Sequence, residues 1–140
     1  MSDKHTRDIM AMTPAELRVA IAEAKGYEYK YGYKDEYGIN PKDYWVTPAG
    51  RLTSVLPDWT TSIADAWELV EDMRENGCEF RIDTDRTGSG DDIYNVAIFR
   101  DGSGTGTGWT RVALAEAPTA PLAISRCWLM WKEMEKEKVN

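Results

Sequence analysis

Histidine is almost absent from this sequence of 140 residues, in which His5 is the only one. A Ser–His–Asp or Cys–His catalytic arrangement, or a histidine metal site, would have to use this residue, which lies in the polar stretch at the start of the chain. We therefore expect a protein that is not an enzyme and that has no catalytic residues, no metal site and no cofactor.

Cysteine is scarce as well, with Cys78 and Cys127 far apart in the chain. Few and distant thiols are typical of a protein kept in a reducing cytosol. We expect both to be buried as small apolar side chains, and a disulfide or redox pair is the alternative.

The sequence also lacks a run of eighteen apolar residues and an excess of basic residues. The first absence predicts that no segment crosses a membrane. Residues 1–12, which we expect to be a flexible lead-in, lack the apolar centre of a signal peptide. The net charge of −7 opposes general binding to nucleic acids or anionic membranes. We therefore expect a cytoplasmic protein.

What the sequence does have is a 42% apolar share with six Trp and seven Tyr, enough for one well-packed domain over residues 13–140. Its clearest helix follows the turn at residues 56–59. Ser62 and Asp65 form a capping box, and Gly77 ends the helix. Its apolar residues recur at helical spacing, and they are Ile63, Ala66, Trp67, Val70 and Met73. We expect Trp67 to mark the core.

Two further helices flank the strands. Thr13, Pro14 and Glu16 begin one that ends at Gly26, and residues 118–138 form the last. Alternation predicts strands over residues 27–33, 43–47, 78–82, 93–99 and 109–114, with a brief extended piece over 51–55. The connections have hairpin length. We therefore expect an α/β protein of the α+β type, a three-layer α/β/α sandwich with a mostly antiparallel sheet of about five strands and helices on both faces.

Several short motifs together resemble the phage ABA-sandwich domain family. They are Gly26-Tyr27, the segment WVTPAG at 45–50, LPDW at 56–59, AWELVE at 66–71 and TAPLAISR at 119–126. The resemblance covers residues 13 to 131, and the chain departs from it at a tyrosine-rich insertion (28–42) and a glycine loop (102–108). It implies an α/β/α sandwich, a phage or prophage origin and a place in the host cytoplasm, and it carries over no functional residue.

Two loops contain motifs that approach known binding sequences. Residues 83–94 place oxygens as in a calcium loop, but Tyr94 stands where a bidentate Glu belongs and the flanks are strands, so a polar hairpin is the better interpretation. Gly102, Gly104, Gly106 and Gly108 are not followed by the Lys-Ser/Thr of a phosphate-binding loop or by a helix. A mobile connection is expected there, and a flap over a ligand is the alternative.

Aromatic and basic residues alternate at predicted strand ends and loops. Stacking rings and guanidinium groups suit a nucleotide-like ligand, although half-buried aromatics and solubilising arginines would give the same pattern. The candidate ligand-binding residues are Tyr44, Trp45, Arg51, Arg86, Trp109 and Arg111.

The last helix has a second apolar side formed by Leu122 and Leu129, seven residues apart. Such a side on a surface helix indicates a contact between subunits, although scattered exposed leucines are common. We expect a homo-oligomer with these two residues in the contact.

Our leading hypothesis is a non-enzymatic phage accessory protein that sequesters a small anionic, nucleotide-like signal of host defence. The first alternative is an acidic inhibitor or adaptor that binds a host protein, as a nucleic-acid mimic would. An enzyme of unrecognised type, for instance one that degrades a nucleotide, and a structural part of a virion are the remaining hypotheses.

Overall fold

A computed structural model describes residues 8–33, 42–101 and 108–139 of the chain, with side chains described for residues 8–30, 43–101 and 108–136. The helices are α1 (residues 8–11), α2 (Pro14–Lys25), α3 (Ile63–Glu75) and α4 (Ala120–Val139). The strands are β1 (Glu28–Tyr33), β2 (Lys42–Val46), β3 (Leu52–Thr53), β4 (Cys78–Arg86), β5 (Asp92–Asp101) and β6 (Trp109–Ala117).

The strands form two separate antiparallel sheets of three strands each, β1-β2-β3 and β4-β5-β6. The α+β class is therefore confirmed, whereas the prediction of one sheet of about five strands in a three-layer sandwich is wrong. Each sheet is made of neighbours joined along the chain, and α3 stands between the two sets. Alternation identifies a strand, but it does not say which strand edges pair, and here the two sets do not pair with each other.

Helix α4 is the centre of the core, because it packs against β5 and β6, against α3 and against α2. Its buried side chains are Ala123, Ile124, Ser125, Cys127, Trp128, Leu129, Met130 and Trp131. The sheet beneath it presents alanines at 113, 115 and 117, each no more than 4% exposed. Small residues on the strand let the large side chains of α4 fill the space between helix and sheet.

The opposite face of the second sheet is solvent-exposed in the described part of the chain. Register places Arg81 beside Ala97 and Leu114, and Glu79 beside Phe99 and Arg111. Leu114 is 43% exposed. Helices therefore cover this sheet from one side, where the sequence predicted both. No helix among the described residues is long and apolar enough to cross a membrane.

Helix α3 begins with the predicted Ser62 cap, but the Asp65 half of the predicted capping box does not form, and the buried side of the helix also differs from the prediction. Ser62 Oγ accepts a hydrogen bond from the Asp65 amide at 3.3 Å, while the Asp65 carboxylate accepts from the Asp58 amide at 2.8 Å. Trp67, expected in the core, is 43% exposed and lies edge-on to Phe80. The buried residues are Ala66, Leu69, Val70 and Met73. The buried stripe is thus rotated away from Trp67 toward Leu69.

Helix α2 and the two cysteines agree with the sequence analysis. Thr13 and Glu16 form the predicted capping box, and Gly26 ends the helix with a φ of 98°. Cys78 and Cys127 are both buried, and neither forms a disulfide. Burial raises the pKa of the Cys127 thiol above its ordinary value, and the neighbouring Cys78 raises it further. Cys127 is therefore an unreactive core residue at neutral pH.

The burial of Leu129 gives a first testable prediction. Leu129 is 3% exposed inside the core, and Leu122 is partly buried against that core, so neither forms an exposed stripe on α4. Leu129→Ala is expected to lower the free energy of unfolding by about 2–5 kcal/mol, because it leaves a cavity. Urea unfolding followed by circular dichroism measures this change.

The matched control is Leu52→Ala, since Leu52 is 59% exposed on β3. It is expected to change the free energy by less than about 0.5 kcal/mol. If Leu129→Ala leaves the stability unchanged and only dissociates an oligomer, Leu129 is a subunit contact and the packing described above is incorrect.

Candidate functional site

Three of the predicted ligand-binding residues belong to the first sheet or its turn. Trp45 is 9% exposed, and its ring lies 5.0 Å from that of Tyr29. Tyr44 precedes it on β2 and is half-buried, whereas Arg51 is exposed before β3. Trp45 is therefore a core residue, and its ring is not available for stacking on a ligand.

The other three predicted residues lie at opposite ends of the second sheet. Arg86 pairs with Asp92 on β5, whereas Arg111 pairs with Phe99, seven residues further along that strand. At about 3.3 Å per residue, this separation is roughly 23 Å. Trp109 lies at the Arg111 end. The six residues therefore do not meet in one pocket of a single chain.

The loop between β4 and β5 is a polar hairpin. The Thr87 amide donates to the Asp91 carbonyl oxygen at 2.8 Å, and the Asp91 amide donates to Thr87 Oγ1 at 3.1 Å. Among the described residues, no three His, Cys, Asp or Glu side chains are placed to hold a metal ion. Of the predicted glycine flap, Gly102–Thr107 lies outside the described residues, and the Gly108 amide donates to Asp101 Oδ1 at 3.2 Å.

A cleft that the sequence analysis did not predict lies between the end of α2 and the facing sides of α3 and α4. We call it the helical cleft, and its volume is about 280 Å³. It is lined by Ala24, Lys25, Tyr27, Pro48, Trp59, Glu68, Asp72, Trp128 and Lys132. No described cleft combines as many aromatic and charged side chains.

Local sequence explains how these side chains converge. Glu68 and Asp72 are four residues apart on α3, and Trp128 and Lys132 are four apart on α4, so each pair shares one face of its helix. After the left-handed Gly26, the Tyr27 amide donates back to the Ala22 carbonyl oxygen at 2.9 Å. This turn directs Tyr27 toward the cleft beside Lys25.

Asp72 links the two helices across the cleft. Its Oδ2 accepts a hydrogen bond from Trp128 Nε1 at 2.9 Å and lies 3.7 Å from Lys132 Nζ. The Asp72 carboxylate thereby fixes the indole of a fully buried Trp and holds one ammonium group near it. Charge-assisted hydrogen bonds of this kind are stronger than neutral ones.

Two lysine ammonium groups flank the Trp128 ring. Lys25 Nζ is 5.4 Å and Lys132 Nζ is 5.5 Å from the ring centroid. Lys25 Nζ is also 5.9 Å from the ring of Trp59. Within the described residues, Lys25 has no carboxylate within the 4.0 Å of an ion pair. The contacts that its ammonium group makes are with the two aromatic rings.

Tyr27 and Trp59 complete the aromatic wall, with ring centroids 5.9 Å apart in an edge-to-face arrangement. Burial raises the pKa of the Tyr27 hydroxyl above its ordinary value, and the Glu68 carboxylate raises it further. Tyr27 is therefore a neutral hydrogen-bond donor at physiological pH. Trp59 is fully buried, and its Nε1 has no hydrogen-bond partner among the described residues.

The chemical groups that line the helical cleft are suited to binding a polar ligand. It offers two ammonium groups, two carboxylates, a phenol and two indoles, and it lacks a Ser, Cys or His that a base could activate. The i, i+4 pairs on α3 and α4 were visible in the sequence. What the sequence did not reveal is that these two helix faces meet.

The bridging role of Asp72 gives a second prediction. Asp72→Ala is expected to lower the free energy of unfolding by about 1–3 kcal/mol, because the Trp128 indole N–H then loses its acceptor. Asp72→Asn keeps an acceptor oxygen and is expected to cost less. Denaturant unfolding measures both, with Asp83→Ala as the exposed control, where the change is expected to stay below about 0.5 kcal/mol. Equal stability of the Ala and Asn variants would contradict the bridging role.

No protein-family model, no curated protein and no solved structure matches this chain. The resemblance to the phage ABA-sandwich family therefore stays a prediction.

Proposed function

We propose that the protein binds a small anionic, nucleotide-like molecule in the helical cleft and holds it without changing it chemically. The observation that supports this most directly is the position of Lys25 and Lys132 on either side of one cleft, both within 5.5 Å of the Trp128 ring centroid. With the Glu68 and Asp72 carboxylates that also line it, these two ammonium groups make the cleft formally neutral, in a protein whose net charge is −7.

Lys25 is the group best suited to contact the anion. Its ammonium interacts with the Trp59 and Trp128 rings and with no carboxylate in the described part of the chain. An anion can therefore bind to it without first breaking an ion pair. The Lys132 ammonium group, by contrast, already lies near the Asp72 carboxylate, so an anionic ligand would have to compete with Asp72 for it.

The remaining polar groups suit the base-like part of such a ligand. Glu68 and Asp72 supply acceptor oxygens for amino or ring N–H groups, and the neutral Tyr27 hydroxyl supplies a donor. The same carboxylates disfavour a ligand that is anionic throughout. The cleft thus suits a molecule with one anionic end and one hydrogen-bonding, aromatic end.

The size of the cleft limits the ligand. Its volume of about 280 Å³ lies just under the roughly 300 Å³ at which clefts for drug-sized ligands begin. A mononucleotide or a smaller molecule therefore suits it better than a dinucleotide.

The resemblance to phage proteins supports a biological setting for this binding. Sequestration of a small nucleotide-like signal of host immunity, in the host cytoplasm, would make the chain an anti-defence accessory protein. That setting rests on the sequence motifs alone, whereas the proposed binding rests on the cleft.

A second candidate function is an acidic inhibitor or adaptor of a basic host protein. The contact would use the exposed face of the second sheet, where Asp83 and Glu116 lie in one row across the strands beside the exposed Leu114, with Asp83 also ion-paired to Arg81 at 3.2 Å. Binding to such a partner would weaken steeply as salt is added. Binding in the helical cleft, where the ammonium groups lie against rings, would depend less on salt.

Titration with the four ribonucleoside monophosphates and with inorganic phosphate tests the leading proposal. Calorimetry measures affinity, and tryptophan fluorescence gives a second signal that sums all six Trp of the chain, of which Trp59 and Trp128 line the cleft. Lys25→Met keeps apolar cover over both rings and removes the charge, so it is expected to weaken binding by about tenfold or more. Lys136→Met, at an exposed lysine of the same α4, is the matched control and is expected to bind normally.

Native mass spectrometry of the protein purified from cells is the companion measurement. A stoichiometric ligand that leaves chemically intact on denaturation supports sequestration, and turnover of an added nucleotide contradicts it. Absence of mononucleotide binding, or equal binding by the Lys25→Met variant, would exclude the helical cleft as the site.

A further inference from the structure

A second and larger cleft lies at the end of the β4–β6 sheet where the β4–β5 loop approaches the start of α4. We call it the hairpin cleft, and its volume is about 540 Å³. Met10, Ile93 and Pro118 form apolar parts of its wall, and Asp91, Glu116 and Arg126 bring charges into it. A volume in this range, with apolar walls and few polar groups, is typical of a small-molecule site.

Arg126 is the cation of this cleft, and it lacks an anion. Its Nη1 donates to the backbone carbonyl oxygen of Glu116 at 2.7 Å, which fixes the guanidinium. Its Nε is buried without a hydrogen-bond partner, and in the described part of the chain no carboxylate lies within 4.0 Å of the group. Burial lowers the pKa of Arg126, and the nearby Glu116 opposes that shift. A desolvated guanidinium in this state gains from an anionic partner.

Two carboxylates of the same cleft lack a cation. Asp91 Oδ2 accepts a hydrogen bond from Ser89 Oγ at 3.1 Å, and no Lys or Arg nitrogen among the described residues is within 4.0 Å of Asp91 or of Glu116. Asp92 differs, because its Oδ1 is 3.6 Å from Arg86 Nε. The cleft therefore holds charges of both signs that form no ion pair with one another, although Glu116 is close enough to act electrostatically on Arg126.

We propose that the hairpin cleft binds a small zwitterion, an aliphatic amino acid in its chemistry. Its carboxylate would pair with Arg126, its ammonium group with Asp91 and Glu116, and its side chain would lie against Met10, Ile93 and Pro118. A plain anion would meet two unpaired carboxylates, and a plain cation would leave Arg126 without a partner. This site is separate from the helical cleft and does not depend on the function proposed there.

Three probes of similar shape test the proposal. Leucine carries both charged groups, 4-methylpentanoate lacks the amine, and 3-methylbutylamine lacks the carboxylate. Calorimetry and NMR chemical shifts measure binding of each to the full chain. Leucine is expected to bind about tenfold or more tightly than either analogue, since each analogue loses one charged pair. If 3-methylbutylamine binds as tightly as leucine, the cleft is only an acidic surface, and if 4-methylpentanoate does, it is a plain anion site. Either result, or no binding of leucine, would refute the zwitterion site.

Variants connect the binding to the cleft. Asp91→Asn and Arg126→Gln are each expected to weaken leucine binding about tenfold, with unfolding curves recorded because Arg126 also bonds to β6. Asp91 is exposed at the loop, so its variant separates binding from folding. Asp83→Asn, on the same sheet but outside the cleft, is expected to bind normally.

Lys25→Met distinguishes the two sites. It is expected to leave leucine binding unchanged while weakening mononucleotide binding. Leucine binding that disappears in Lys25→Met, or that survives in both Asp91→Asn and Arg126→Gln, would overturn the assignment to the hairpin cleft.

Discussion

The packing of α4 is the interaction on which the rest of this structure depends. The helix is surrounded by the β4–β6 sheet, by α3 and by α2, and Trp128 and Ile124 on it are fully buried. Burial of side chains of this size contributes much of the stability of a chain of this length. The same helix carries Arg126 to the hairpin cleft and Lys132 to the helical cleft. Both candidate sites are therefore held by one rigid element.

The sequence predicted local structure well, because local structure depends on neighbours along the chain. The capping box at Thr13, the left-handed turn at Gly26 and the cap at Ser62 each depend on a few consecutive residues. The strands were also located, although β4 runs four residues further than expected, to Arg86. Exposed polar residues such as Asp83 and Asp85 give no apolar alternation, so the pattern did not reveal that extension.

The sequence did not predict which residues far apart in the chain lie close together in the fold. Trp67 and Leu69 both fit a helical stripe, and the packing of α3 against α4 and β4 leaves Trp67 exposed and Leu69 buried. The candidate residues Trp45 and Arg111 both suit a nucleotide-like ligand, but they lie in different sheets. The helical cleft unites Lys25 with Trp128, about a hundred residues apart, which only tertiary packing brings together.

Alanine is an inconspicuous residue in a sequence, but at the three buried alanines of β6 there is little space for a larger side chain. Ala113, Ala115 and Ala117 are buried on a strand that packs against α4, and their small side chains allow a close approach of helix and sheet. A β-branched residue there would suit the strand but would push the helix outward. Because α4 carries Lys132 in one cleft and Arg126 in the other, such a shift would change the geometry of both clefts while their charged residues stay the same.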